Sequence, residues 1–524
     1  MSNATIAEPA GIFNDVIGPV MTGPSSSHTA GPARIGKAIH GLMGGDIKSA
    51  AIYFKKDGSY PGTYRGQGSD KGFVGGLLGF GPGNELLADA LNEADRRGLG
   101  YSFAVEDNSH PHPNTARIVA VDSRGREREF LTESTGGGMF RIVRMDGHPM
   151  LVTGAFRELF VHCAESVSLD SLCSVAQAHG ASISRSTESS GVQAQVTFQR
   201  PFPEELLRIA RELEATGCTV SMLDPILPVA GRFQYDIPFF TASQALEHCG
   251  GKAVSASALA LEYERARSGL GDDDILFRMK SIVRTMRRAA EAGLEKDLPV
   301  SGFLRPKAAA MARNLSNANV ADLGVMNRGM LIATAIMEYN SAGGIVVAAP
   351  TAGSCGVLPA VVLPMAESMG LSEEEQAEAM FAAGLVGVFI AHQATFAAEV
   401  CACQAEVGAA TAMGAAAAVQ LLGGSSRQAF AAAGLALQNV LGLICDPVAG
   451  LVEIPCINRN TMGAANAIAS ANMVLAGFDP VIPLDEVVET MLRVGRMLPS
   501  ELRCTNRGGL CVTPTAVGIQ ESLP

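Results

Sequence analysis

The sequence predicts a multidomain α+β protein, with an N-terminal α/β domain (1–148), a small ferredoxin-like domain (149–232) and an all-α C-terminal domain (233–524). Three observations predict it. A chain of 524 residues exceeds what one hydrophobic core usually organises, so division into several domains is expected. The composition changes twice, near 150 and near 235. Between those changes, short apolar runs follow the order β-α-β-β-α-β of a split βαβ unit.

In the first region, apolar runs alternate with Gly-rich loops such as GSYPGTYRGQGSDKGFVGG (58–76) and STGGGMF (134–140). Residues 50–54, 101–106 and 116–121 read as strands and 84–97 as a helix. In the second, strand 158–163 leads to a helix opening at Ser168, and a hairpin turns at Ser189-Ser190-Gly191. A helix begins after Pro203 and strand 218–223 closes the unit. Such units often bind regulatory amino acids, and as often only dock or space domains. From about 235 the chain reads as almost wholly helical. Ser372 with Glu375 and Ser425 with Gln428 have capping-box spacing, and a helix runs from Asp485 to the residue before Pro499.

Composition excludes several classes. A net charge of −12 offers no basic face for nucleic acid or anionic membranes. The stretches 343–366 and 407–426 carry no charge, but prolines in one and Ala/Gly richness in the other favour buried segments over membrane spans. MSNATIAEPA is not a signal peptide, so a cytoplasmic location is expected, with the 11 cysteines free, catalytic or metal-bound. No lysine follows Lys307, which denies the cysteine-rich stretch a Schiff-base lysine for pyridoxal phosphate. No P-loop or dinucleotide fingerprint is present.

Chemistry concentrates in loops rich in Gly, Pro and Cys. Cys403, Cys445 and Cys456 lie in or beside such loops, where thiolates can converge; an iron–sulfur cluster with one open iron and a zinc site both suit them. Packing alone also accounts for buried cysteines. GPSSSHTAGPARIG (23–36) sets Ser25, Ser26, Ser27, His28 and Thr29 before a helix, positioned to bind a carboxylate or simply to cap. HPHPNTARI (110–118) holds His110 and His112 against prolines, as a general base or as a plain turn. His392 reads as a packed mid-helix core residue, and Gly136–Gly138 as a turn or a close approach to ligand.

These segments resemble a known family. GPSSSHTAGPARIG, GSYPGTYRGQGSD, HPNTARI and the GGG loop are similar to the β half of the iron–sulfur-dependent L-serine dehydratases. PTAGSCGVLPA, CQAEVGAATAMGAAAA, CDPVAGLVEIPCINRNTMGAANAI and GGLCVTPT are similar to the α half. The resemblance covers nearly the whole chain and marks the middle unit as ACT-like. It implies a [4Fe–4S] cluster, without pyridoxal phosphate, held by Cys403, Cys445 and Cys456, with Cys401 outside the pattern. It also implies substrate contacts at Ser25, Ser26, Ser27, Thr29, Asn114, Thr351, Gly353 and Ser354, with His112 or His28 as the catalytic base.

The implied reaction converts L-serine to pyruvate and ammonia: the cluster acts as Lewis acid for the leaving hydroxyl and a protein base takes the α-proton. The expected partners are an amino-acid substrate and a second copy of the chain in a homodimer. Two other functions fit the same residues: action on another β-substituted amino acid such as L-cysteine, and a non-catalytic amino-acid sensor. The chain departs from the family in one place. It ends GIQESLP, with no cysteine after Cys511, so the fourth iron position is open or covered by Cys511, Cys504 or Cys355.

Overall fold

The computed structural model describes residues 8–164, 167–295, 298–300, 302–317 and 320–523. Residues 1–7, most of the segment read as lacking an export signal, lie outside the described residues.

The first region is built on a six-stranded sheet. In space its strands run Gly100–Glu106, Ser49–Lys55, Thr115–Val121, Glu127–Gly136, Met139–Met145 and His148–Val152. Only the first pair is parallel; the others are antiparallel. Strand Ser49–Lys55 alternates in burial, sending Ala50, Ile52 and Phe54 into a core with Ile35, Ile39, Phe73 and Phe130, as a period of two requires. Helices Gly31–Leu42 and Ser69–Leu77 supply Ile35, Ile39 and Phe73 to that core. They cross so closely that a Cβ on Gly36 would lie 2.6 Å from the Phe73 carbonyl oxygen. The helix expected over 84–97 begins as a 3₁₀ turn, Glu85–Asp89, capped by Asn84, and continues as Ala90–Arg97.

The middle region has four antiparallel strands in the order Thr219–Leu223, Arg157–Cys163, Gly191–Phe198, Ser182–Glu188. Helices Asp170–Ala178 and Glu204–Ala215 complete the element order read from the sequence. Cys163 and Cys218 form a disulfide at one end of the paired strands Arg157–Cys163 and Thr219–Leu223, where free cysteines were expected. The sequence reading took free thiols from the expected compartment and could not see that strand pairing sets these two side by side.

Glu158 is enclosed in this sheet, accepting hydrogen bonds from Thr197 Oγ1 at 2.7 Å and Gln195 Nε2 at 3.1 Å. Burial pushes its carboxyl up to about 8. The folded state therefore holds this proton more tightly than the unfolded chain, and the associated stability falls as pH rises from the ordinary carboxylate range through about 8. Glu158→Gln is expected to melt with the parent near pH ~5 and a few degrees above it near pH ~8.5. Differential scanning calorimetry at both pH values checks this, and a gap that does not widen with pH contradicts it.

The C-terminal region is mainly helical, with helix Val407–Leu421 at its centre. That helix is buried nearly all round and is packed by Val357–Met369, Glu373–Gln393, Ser426–Gln438 and Cys456–Leu475. Ala and Gly permit this density: a Cβ on Gly463 would meet Thr411 Oγ1 at 2.7 Å. Both capping boxes are present, at Ser372–Glu375 and Ser425–Gln428. Among the described residues, no helix is long and apolar enough to cross a membrane.

Two findings differ from the helical expectation. His392 is not core: it is exposed in the last turn of its helix, its ring stacked on Phe240 at 4.7 Å. Ile345–Val347 is a strand, paired antiparallel with Val20–Thr22 from the other end of the chain. Just before that strand, Ile12, Phe13 and Val16 are buried in the helical core. Residues 12–22 are thus laced into the C-terminal region, and the serine-rich loop that follows is carried to the cysteine loops.

Candidate active site

Three short turns bring the cysteines together. Cys403 opens a 3₁₀ turn after Ala402, whose φ is +59°. Cys445 lies in an extended loop, its N–H donating to Leu502 O at 2.9 Å. Cys456 begins helix Cys456–Leu475 directly after Pro455. Cys403, Cys445 and Cys504 share one small buried cluster, Cys445 interacts electrostatically with both the others, and Cys456 does so with Cys403 and Cys504. The Cys445 thiol, with the Arg459 guanidinium beside it, draws the Cys403 thiol down to about 7 despite burial. Arg459 is itself held by Asp446 at 2.8 Å.

Cys401 points elsewhere, toward Met491 O at 3.3 Å, and burial pushes its thiol up to about 11. Among the described residues no three His, Cys, Asp or Glu side chains are set to hold one metal ion. A multi-iron cluster spreads its thiolates over separate irons, whereas zinc gathers four ligands on one centre. The donor set, buried thiols beside a guanidinium, fits the cluster better.

The serine-rich loop meets this centre through hydrogen bonds. His28 is fully buried. Its Nδ1 lies 2.9 Å from Ser27 Oγ and 3.4 Å from Glu399 Oε1, and Ser27 Oγ donates to the same carboxylate at 2.8 Å. On the other side, His28 Nε2 lies 3.1 Å from Ser59 Oγ, which donates to the Cys504 carbonyl at 2.9 Å. The Ser59 and Ser27 protons are both donated elsewhere, so each hydroxyl can accept from the ring nitrogen that faces it. Burial holds the imidazole below its ordinary value, opposed by Glu399. Glu399 Oε2 is buried and has no hydrogen-bond partner among the described residues.

His112 belongs to the same neighbourhood, where burial lowers its imidazole against the opposing pull of Glu133 and Glu399. Its Nδ1 accepts the Asn114 N–H at 3.1 Å, so the neutral ring presents Nε2–H, a donor. Asn114 Oδ1 is buried and unpaired among the described residues. His110 instead pairs with Glu133. A cleft of about 250 Å³, lined by Lys55, Ser59, Pro111, Glu399, Arg503 and Arg507 among others, opens onto the network.

The remaining expected residues make local contacts. Ser25 Oγ accepts the His28 N–H at 3.2 Å and Thr29 Oγ1 donates to Gln67 O at 2.7 Å; Ser26 is buried. Thr351 and Ser354 close a capping box on each other. Thr351 and Gly353 border Glu406, whose carboxyl is driven well above the usual range by burial and then by Cys403 and Glu399. Sequence reasoning missed Glu399, Glu406, Ser59 and Arg459. The available signal was EVCACQAE (399–406), which places two acids around Cys403 within an otherwise apolar stretch.

A family model described as serine dehydratase alpha chain matches residues 249–511. The chain is 35% identical over 285 residues to a probable L-serine dehydratase alpha chain of Bacillus subtilis, covering 54% of this chain and 95% of that one. It is 29% identical over 504 residues to an L-serine dehydratase of Haemophilus influenzae, covering 94% and 96% respectively. A probable L-serine dehydratase alpha chain of Latilactobacillus sakei is 45% identical over 196 residues, 37% of this chain and 94% of the relative.

Proposed function

Because the chain belongs to the serine dehydratase family, we propose that it is a lyase that converts L-serine to pyruvate and ammonia. The observation that carries this reading is the meeting of loops from opposite ends of the chain. Those of the N-terminal region bear Ser27, His28 and Ser59; those of the C-terminal region bear the thiols.

Cys403, Cys445 and Cys456 would hold a [4Fe–4S] cluster, which supplies Lewis acidity for the departing hydroxyl. The chain supplies the rest. His28 is the base, neutral at physiological pH because it is buried. Ser27 relays the α-proton, since Ser27 is half-buried and His28 is fully enclosed. The Ser27 hydroxyl turns from Glu399 to the ring and passes its own proton to Nδ1 as Ser27 Oγ takes the one from substrate. Glu399, 3.4 Å from Nδ1, stabilises the imidazolium so formed. Ser59 fixes the ring by accepting from Nε2. His112 presents its Nε2–H to the substrate and acts as donor rather than base. Arg503 and Arg507 in the cleft attract the substrate carboxylate.

The middle region acts as the ACT-like unit of a three-part chain (1–148, 149–232, 233–524). Its support is the strand order and a cleft against the six-stranded sheet, lined in part by Arg126, Arg128, Asp146 and His162. Kinetics with a single hyperbolic serine dependence and no second serine site would reduce this unit to a spacer.

The test of the main reading uses protein purified without oxygen, with iron and sulfide counts and absorbance and EPR spectra before and after L-serine. About four irons per chain, a serine-induced spectral change and pyruvate release are expected. Iron-free protein that still makes pyruvate removes the cluster from the mechanism. Sulfide release from L-cysteine with little serine turnover reassigns the substrate.

A further inference from the structure

Resting on the cluster reading above, we infer that Cys504 is the fourth thiolate of the site and closes the iron position left by Cys403, Cys445 and Cys456 when no substrate is bound. Four features of the molecule carry the inference.

The first is placement. Cys504 is 5% exposed and lies in the same buried cluster as Cys403 and Cys445.

The second is the backbone. Cys504 has a φ of +58°, a left-handed conformation that side chains other than Gly and Asn rarely adopt. Such a conformation persists only where the surroundings over-determine it. Here the Cys504 N–H donates to Cys445 O at 3.2 Å, the Cys445 N–H donates to Leu502 O at 2.9 Å, and Ser59 Oγ donates to Cys504 O. The strained residue is thus clamped to one presumed ligand on one side and to the acid–base network on the other.

The third is its donor. Gln67 Nε2, from the N-terminal half, points at Cys504 Sγ at 3.7 Å, the kind of hydrogen bond to sulfur that tunes cluster thiolates. The fourth is the orientation of the other free thiols. Cys511 donates to Gly508 O at 2.8 Å, and Cys355 points at Met337 Sδ at 3.7 Å. With Cys504 the donor set becomes Cys₄, the ordinary complement of a [4Fe–4S] cluster. A closed fourth position would guard the cluster against losing iron between turnovers.

The test compares the parent with Cys504→Ser, Cys504→Gly and Cys511→Ser. All are reconstituted anaerobically with iron and sulfide and then briefly exposed to air, with iron counted and EPR recorded. Glycine suits the left-handed φ, so Cys504→Gly keeps the loop folded while removing the thiol. Parent and Cys511→Ser should retain about four irons per chain, while both Cys504 variants lose about one and develop the signal of a three-iron cluster. Cys504 variants that hold iron as long as the parent, with an unchanged spectrum, overturn the inference and leave the cluster reading intact. A parent that binds no iron overturns both.

Discussion

His28→Ala is expected to lower kcat by roughly 10²- to 10⁴-fold, the usual contribution of a positioned general base, while the cluster is retained. The imidazole is placed by contacts on both ring nitrogens, Ser59 at Nε2 and Ser27 with Glu399 at Nδ1, so alanine removes the proton acceptor itself. His112→Ala should act differently. Its lone pair is engaged by the Asn114 N–H, and losing its Nε2–H donor should raise KM more than it lowers kcat.

The pH profile adds a second readout. A base works in its neutral form, and burial depresses the His28 pKa. The acid limb of kcat/KM should therefore lie below the ordinary imidazole value of about 6.5, with activity lost as pH falls through the depressed pKa. Glu399 opposes that depression, so Glu399→Gln should move the limb to still lower pH. Near-parent turnover in His28→Ala, with iron content unchanged, would remove His28 from the chemistry. A limb that stays put in Glu399→Gln would break the link between the two residues.

The second large effect is expected for Cys445→Ala, which should reduce pyruvate formation to background and cut bound iron well below the parent's. Cys445 shares one buried cluster with both Cys403 and Cys504, and it is joined through its backbone to the loop that carries Cys504. Cys401→Ala is the matched comparison. It removes a buried thiol from the same stretch, and one that faces Met491 O rather than the centre. That variant should lose some thermal stability, because Cys401 Sγ packs against Gly495, yet keep iron and turnover. Equal iron loss in both variants would mean that iron is lost through misfolding around a missing buried thiol rather than through a missing ligand. Anaerobic iron analysis alongside the pyruvate assay reads both outcomes.

The secondary structure was legible in the sequence wherever its signal is local. Strand Ser49–Lys55 shows alternation, helices Glu373–Gln393 and Ser426–Gln438 show their capping boxes, and the hairpin at Ser189 to Gly191 joins its paired strands. Where the signal is long-range, the reading failed. His392 looked internal from its place in an apolar helix, but packing leaves the last turn of that helix open to solvent. Cys163 and Cys218 are 55 residues apart, and nothing local pairs them.

The candidate site divides in the same way. Cys403, Cys445, Cys456, His28 and His112 could be named from the sequence because rare residue types sit in loops rich in Gly and Pro, and because those loops resemble a family. Which of them touch could not be named. Ser59 matters only because its hydroxyl spans His28 and the Cys504 carbonyl, contacts separated by 31 and 445 residues in the chain. Glu399 matters because it lies 372 residues from Ser27 and within hydrogen-bonding reach of it. Residue type and spacing by themselves determined the α/β-then-helical plan and a candidate metal-cluster site, and the serine chemistry came only with the family resemblance. The tertiary structure decided which thiols converge, which nitrogen of His112 accepts and which carboxylate faces His28. Those properties depend on hydrogen bonds and burial between residues that only the folded chain brings together.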